Sequence, residues 1–505
     1  MKRKGTIFIT GATGLVGSLL TMRALWEGHS VRLLVRRRQN QSSEERIRLI
    51  LTMLGLPHDQ WDHLRPDIEI YEGDIAEPQF GLSGKEWQQL ADGLSATYHA
   101  AAFCGFQNHQ AAQSRAVNIG GTRNILKLAE LSRAHLFHIS SAYIAGDTET
   151  RVFERELETP PRWKNPYEET KFIAEHHVHS HCRKNGLIYT VFRPAVLIGD
   201  SVQGRTIRFT GMYHYMKLFH QLSARRKAFP VILEAKPGAK LNIVPVDFAI
   251  GAIWDISQFP ECEGKVFHIT NPSPRKFAEL ISIAERLFEL RIELVDQSPS
   301  GKATSDERDR KKESPLSHYR PYLFGEPEFD VTNTRSLLRD YDVAFPELNE
   351  SYFRKILNYA VDQNWGKHQF TTLPQRGGEK ALTYTERYFE EFLMGKLHQQ
   401  LVKDLKSLSA IVSLTIHGEK TEHWVLQITQ GTLGSVCRGP APSECSFVMD
   451  AATFEEIARG RYQPQQAFFE GRVNIEGNME KALQVATALA EFCKSYPFEP
   501  KDDVK

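Results

Sequence analysis

The sequence predicts an α/β protein, a doubly wound parallel sheet followed by a smaller α+β domain. Three observations carry this. Short β-branched runs alternate with helical patterns over roughly the first 300 residues. A glycine-rich turn follows the first run directly, with Gly11, Gly14 and Gly17 at three-residue spacing. Beyond residue 386 the pattern changes to longer alternating strands between amphipathic helices. The 505 residues also exceed one typical core, so two or more domains are expected.

The runs "TIFIT" (6–10), "SVRLLVR" (30–36), "IEIYEGD" (68–74), "ATYHAAA" (96–102), "HLFHISS" (135–141) and "YTVFRPA" (189–195) read as strands. Between them lie helical stretches such as 117–133, with Ile119, Ile125, Leu128 and Leu131 as an apolar stripe. Such alternation implies a parallel sheet with helices on both faces. "ITGATGLVGS" stands between a strand and an amphipathic stretch, the setting of a Rossmann-type dinucleotide turn. Its glycines allow a tight turn, close approach to a pyrophosphate and close packing of the next helix, whose N-terminus attracts anions. The second strand ends "LVRRRQ", with Arg36, Arg37 and Arg38 where an NAD site carries a carboxylate. Arginines suit a 2′-phosphate, so NADPH (NADP+) is the expected cofactor.

"NPYEETKFIAE" (165–175) starts a further helix. Asn165 suits its cap and Pro166 its first position. Tyr167 and Lys171 then share a face, one turn apart. On its own such a pair is a common pattern; beside a nucleotide site it becomes a phenol with a neighbouring cation.

Taken together, these pieces resemble an extended short-chain dehydrogenase/reductase. The matching motifs are Thr10 to Gly17, "GDI" (73–75), "HAAA" (99–102), "NIGGT" (118–122), "ISSAYIAG" (139–146), Tyr167/Lys171 and "FRPAVLIG" (192–199), in that family's order over roughly residues 1–275. The resemblance implies a cofactor groove of Gly11, Thr13, Gly14, Leu15, Val16 and Gly17, with Arg36, Asp74 and Ile75 on the adenosine side. It implies Ala100, Ala101, Ala102 and Asn118 along the groove, and Pro194 and Val196 near the nicotinamide. It further implies a triad of Ser141, Tyr167 and Lys171, with Tyr167 as proton donor. The ammonium and the oxidised cofactor's positive ring are expected to lower the phenol's pKa towards working pH.

"YEGDIAEPQFGLS" (71–83) and "LNIVPVDFAIGAI" (241–253) resemble segments of fatty acyl-CoA reductases and of reductase domains that release thioester-bound chains. That branch implies hydride transfer to a thioester carbonyl, with the acyl group on coenzyme A or an acyl-carrier protein. Residues 200–236 mix aromatic side chains with Arg205, Arg208, Lys217, Arg225, Arg226 and Lys227. They suit either an acyl chain with its carrier's phosphates or an amphipathic helix with a solvated basic face. Two rival functions stay open: a sterol or hydroxysteroid dehydrogenase, and a non-catalytic NADP-binding lipid carrier.

The expected domains are 1–365 for the reductase, 366–385 for a linker broken by Pro374 and Gly377–Gly378, and 386–500 for the tail. Phe389, Leu393, Leu397, Leu401 and Leu405 predict an amphipathic helix, 410–418 and 423–431 strands, and Phe447 and Met449 another strand. Thr453 to Glu456 predicts a capping box, with Gly460 ending that helix. A last helix carries Ala482, Val485, Ala486, Leu489 and Phe492. The order of elements and the stretch 454–483 resemble the sterol carrier protein-like fold, which implies a pocket for an acyl chain or sterol.

The net charge of +1 gives no reason to expect nucleic acid as a partner. The six cysteines show no C-x-x-C and no zinc spacing, so no metal is expected and a reducing, cytoplasmic setting is. No apolar run is long enough to span a bilayer, and "MKRKGTIFIT" reads as a first strand rather than a signal peptide. A peripheral membrane contact and a homodimer stay open.

Overall fold

The computed structural model describes residues 4–499, apart from 39–40, 58–59, 149, 224–229, 297–315, 367–382, 394–395, 397–407, 419–420, 430 and 439–442. The described residues fall into two compact units, one within residues 1–373 and one from 374 onward.

The first unit is built on seven parallel strands: β1 (Thr6–Thr10), β2 (Ser30–Val35), β3 (Ile68–Glu72), β4 (Leu94–His99), β5 (His135–Ile139), β6 (Tyr189–Pro194) and β7 (Val266–Ile269). Their order is β7-β6-β5-β4-β1-β2-β3, so the chain winds one way from β1 to β3 and the other way from β4 to β7. A crevice opens where the direction reverses, beyond the carboxyl ends of β1 and β4. Several strands stop two or three residues short of the predicted ends, at Glu72, His99 and Ile139. The leftover residues leave the sheet on its carboxyl edge. β7, "VFHI", was not anticipated: it is short and buried along its whole length, so it shows no alternation.

Both faces of the sheet are covered. Ile7, Ile9 and Leu33 pack into one apolar cluster, Phe8 and Leu34 into another. This period-two division is what strand geometry demands. Helix α1 (Leu15–Trp26) starts at Gly14, and α2 (Ser43–Met53) carries a Ser42–Glu45 capping box. The helix expected over 117–133 begins instead as a π-helical turn, Arg115–Gly120, before α3 (Gly121–Ser132). Ile119, Ile125 and Leu128 of its stripe are buried, but Leu131 is 41% exposed. Helix α4 (Pro166–Asn185) has the predicted Asn165 cap, which accepts the Glu168 N–H at 3.1 Å, and ends at Gly186 with φ +59°.

A third cluster forms the remainder of this unit. Helix Met212–Ser223 buries Tyr213, Met216 and Phe219 against Ile281, Tyr352, Phe353 and Ile356. That stretch of the 200–236 segment is thus an amphipathic helix; Arg225, Arg226 and Lys227 lie outside the described residues, as does the charged run at 300–315.

The second unit holds a five-stranded sheet of β8 (Ala410–His417), β9 (Thr421–Thr429), β10 (Thr432–Arg438), β11 (Cys445–Asp450) and β12 (Val473–Gly477), ordered β10-β9-β8-β11-β12. β8 and β11 run parallel and the other pairs antiparallel. Val412, Leu414, Trp424, Leu426 and Ile428 join Phe454, Val485 and Phe492 in one core. The helix at Ala451–Ala458 is capped by Asp450, which accepts the Thr453 N–H at 2.7 Å. Thr453 is therefore inside the helix and buried, not its cap, because the helix starts directly where β11 ends. The segment Tyr388–Leu393 is π-helical, with Phe389 and Leu393 buried; Leu397, Leu401 and Leu405, and most of the expected linker, lie outside the described residues. No helix among the described residues is long and apolar enough to cross a membrane.

Candidate active site

The glycine turn is shaped by contacts that exclude side chains. Gly11 has φ +73°, and a Cβ there would lie 2.8 Å from the Ala100 and Ala101 backbone. A Cβ at Gly17 would lie 2.2 Å from the Gly11 carbonyl oxygen. Gly14 donates its N–H to that same oxygen at 2.7 Å. As the N-cap of α1 it offers no side chain, so the first turn at Leu15 and Val16, next to Thr13, has no side-chain cap. Uncapped N–H groups above a cradle that admits no Cβ fit the pyrophosphate of a dinucleotide.

The groove is braced by groups the sequence reading missed. Ala101 N–H donates to Thr10 Oγ1 at 3.1 Å, Thr10 Oγ1 meets His99 Nδ1 at 2.9 Å, and His99 Nε2 meets Thr122 Oγ1 at 3.0 Å. His99 thus ties β1, β4 and α3 together, and burial pushes its pKa down to about 3, which keeps it neutral. Asn118 accepts the Phe103 N–H at 2.8 Å, and donates to the Phe103 carbonyl at 3.0 Å and to Thr170 Oγ1 at 2.9 Å. It clamps the loop after Ala102 to α4. Asp74 accepts the Ala76 N–H at 3.0 Å, and Ile75 is buried against Gly121. The "GLS" loop supports them from below: Phe80, with φ +59°, is fully buried and stacks on Phe8 at 5.9 Å.

Arg36, Arg37 and Arg38 are all exposed at the end of β2. Arg37 pairs with Glu72 at 3.0 Å. Among the described residues Arg36 and Arg38 form no ion pair. A fourth arginine, Arg46 on α2, donates to the Arg36 carbonyl at 2.5 Å. Burial, then the charges of Arg38 and Arg36, lower its pKa.

On the other side of the crevice, α4 and the end of β5 bring Ser141, Tyr167 and Lys171 together. The Ser141 hydroxyl accepts the Tyr143 N–H at 3.2 Å and acts to lower the pKa of the Tyr167 phenol. Lys171 is 3% exposed, and burial lowers its pKa to about 8. The phenol departs from expectation. Burial raises its pKa well above the ordinary value; the Cys104 thiol and Glu168 push the same way, against the Ser141 hydroxyl. The protein's own groups therefore hold Tyr167 as a neutral phenol, the form that donates a proton. Pro194 and Val196 close this side, with Val196 in parallel register with Ile243 of the "LNIVPVD" segment.

Two residues beside Tyr167 carry no sequence motif. Phe106 stacks on its ring at 5.7 Å and meets Tyr319 at 5.3 Å. Cys104 is exposed as a residue, but protein packs around its thiol and burial raises its pKa.

Residues 9–253 match the family model described as male sterility protein, and residues 389–490 that of the SCP-2 sterol transfer family. A linear gramicidin synthase of Brevibacillus parabrevis is 28% identical over 70% of this chain and 7% of its own length. The L-2-aminoadipate reductase large subunit of Penicillium chrysogenum is 27% identical over 66% of this chain and 25% of its own. The chain spans 7% to 37% of the length of such curated relatives. Among solved structures, the terminal R domain from the myxalamid PKS-NRPS biosynthetic pathway is 26% identical with a TM-score of 0.61, over 73% of this chain and 93% of that one. A UDP-glucuronic acid 4-epimerase from Bacillus cereus shares the fold, with a TM-score of 0.51.

Fold and groove thus define an extended short-chain dehydrogenase/reductase with an NAD(P)-binding sheet. Within that class the first unit belongs to the male sterility, or thioester reductase, family, and the second unit belongs to the SCP-2 sterol transfer family.

Proposed function

We propose that the chain is an NADPH-dependent reductase of a lipid-type substrate, a long-chain acyl thioester of coenzyme A or an acyl-carrier protein, acting in the cytoplasm. The observation that carries this reading is that Ser141, at the end of β5, and the Tyr167 helix meet where buried Lys171 is bonded to Ile139, on the same sheet edge as the glycine cradle. Ser141, Tyr167 and Lys171 are the catalytic residues. The glycine turn, Asp74, Ile75, Ala100–Ala102, Pro194 and Val196 hold the cofactor, and Arg36 and Arg38 receive its 2′-phosphate. Support for a lipid comes from the sterol-transfer family of the second unit.

The bound cofactor supplies the hydride. Ser141 hydrogen-bonds the thioester carbonyl oxygen as negative charge grows on it. Tyr167 donates its phenolic proton to that oxygen, and the tetrahedral hemithioacetal follows. The C–S bond then breaks, the sulfur leaves as thiol with the hydroxyl proton, and an aldehyde remains. A second round would give the alcohol. Lys171, buried behind the phenol, supplies positive charge when the proton has left.

The sterol-transfer family of the second unit also favours a second reading, an oxidoreductase of hydroxysteroids with the same triad. NADPH oxidation measured side by side with palmitoyl-CoA, a 3-ketosteroid and a nucleotide sugar separates the two. Turnover of the steroid alone would replace the thioester reading.

A further inference from the structure

Tyr322 lies far along the chain from the catalytic helix, yet it is bonded to that helix's first turn. Its hydroxyl donates to Glu168 Oε1 at 2.5 Å and accepts from Asn165 Nδ2 at 2.7 Å. Glu168 is fully buried, and its other oxygen accepts the Lys164 N–H at 2.8 Å. The Lys164 ammonium sits over the Tyr322 ring, 4.8 Å from its centroid. One phenol thus joins the helix cap, the residue after Tyr167 and the residue before the cap.

The same ring reaches the walls of the site. Tyr143, two residues beyond Ser141, meets Tyr322 edge-on at 5.3 Å. Phe106, which stacks on Tyr167, meets Tyr322 edge-on at 6.3 Å. Tyr322 belongs to the 3₁₀ segment Ser317–Leu323, which also brings Tyr319 against Phe106 at 5.3 Å.

We infer that Tyr322, through Glu168, is a positioning residue that locks the Tyr167-bearing turn of α4 to the aromatic wall of the substrate cleft. The inference deepens the proposed function, since it rests on Tyr167 being the proton donor. Catalysis needs the phenol within hydrogen-bond reach of the substrate oxygen, and a displacement of about 1 Å costs on the order of a hundredfold. A first helical turn is the part of a helix most prone to fray. Here it is pinned from outside by the two hydrogen bonds of the Tyr322 hydroxyl, one to a buried carboxyl and one from the cap. The link has a second consequence: substrate packed on Phe106 and Tyr319 presses on the segment that holds the acid.

The test is a set of variants of the full chain with NADPH and hexanoyl-CoA as probes. Tyr322→Phe keeps the ring contacts and loses both hydrogen bonds of the hydroxyl. It should lower kcat about tenfold or more, with the NADPH Kd within about twofold of wild type. Glu168→Ala should match it, Tyr322→Phe/Glu168→Ala should fall no further, and Glu168→Gln, which keeps an acceptor, should recover most of the loss. A wild-type kcat in Tyr322→Phe, losses that add in the double variant, or a parallel loss of NADPH binding would each overturn the inference. Hydrogen exchange separates this from a failure of the thioester reading. If wild type reduces no thioester, Tyr322→Phe should still expose the amides of 167–171 while the β1–α1 turn stays protected. Unchanged exchange at 167–171 would sink the positioning role by itself.

Discussion

Lys171 Nζ donates to the Ile139 carbonyl oxygen at 2.6 Å, at the point where β5 leaves the sheet. A buried ammonium fixed to a main-chain carbonyl cannot follow the substrate; in the proposed reaction it serves Tyr167 as a charge in place. Burial has lowered its pKa to about 8, so above that pH the charge fades. Thioester reduction should therefore decline above about pH 8. The pH profile of kcat/KM checks this, and a flat profile to pH 10 would separate Lys171 from the chemistry.

Tyr167→Phe should fold and bind NADPH as wild type does while turnover falls by on the order of a hundred- to ten-thousandfold, since only the donated proton is lost. Near-normal activity on the true substrate would remove Tyr167 from its assigned role.

Cofactor preference should follow which arginines are free. Arg36→Ala and Arg38→Ala should raise the KM for NADPH by about tenfold or more and leave that for NADH nearly unchanged. Arg37→Ala should matter little, because Arg37 is already paired with Glu72. Equal losses with both cofactors would mean that these arginines do not read the 2′-phosphate.

Two buried carboxyls should make stability fall as pH rises. Burial pushes Glu154 up to about 7 and Glu326 up to about 8. A carboxyl raised in the folded state contributes stability that is whole below its unfolded value near 4.5 and lost as pH climbs through the folded value. Denaturant midpoints should drop between pH 5 and pH 9, by roughly 1–3 kcal/mol in stability. Glu326 has one oxygen buried without a hydrogen-bond partner, so Glu326→Gln should flatten the slope without breaking a network. A variant with the wild-type slope would refute this origin.

The second unit has its own apolar core. Residues 383–505 expressed alone should bind a fluorescent fatty acid or sterol, and residues 1–370 should still reduce short acyl thioesters but lose rate on long ones. A tethered carrier raises local substrate concentration to about the millimolar range. Absence of lipid binding together with unchanged long-chain kinetics would leave the tail no role in substrate supply.

Much of the site was legible because local rules govern it. The glycine spacing, the Asn165–Pro166 start and the one-turn interval from Tyr167 to Lys171 are each written within ten consecutive residues. What stayed hidden depends on distant chain segments. His99 bridges residues 10 and 122, Arg46 reaches the "LVRRRQ" turn from the next helix, and Tyr322 meets Glu168 across a separation of 154 positions. The raised pKa of Tyr167 was missed for a related reason: the sequence shows a lysine one turn away but not the burial around the phenol. In the tail, β10 was missed because Gly434 and Ser435 separate buried Leu433 from buried Val436 and break the alternation, and β12 because only Val473 and Ile475 alternate inward.

The order of the sheet places β2, with its arginines, on one side of β1, and β5 and β6, which lead to Ser141 and Pro194, on the other. In the proposed reaction, choosing the cofactor and handling the substrate therefore fall to opposite sides of β1. Lineages could retune either half without disturbing its neighbour, and a protein engineer can exchange the stretch from β2 to α2 as a cassette. The glycine turn, between the two halves, has no such latitude: a single methyl group at Gly11 or Gly17 would collide with main-chain atoms.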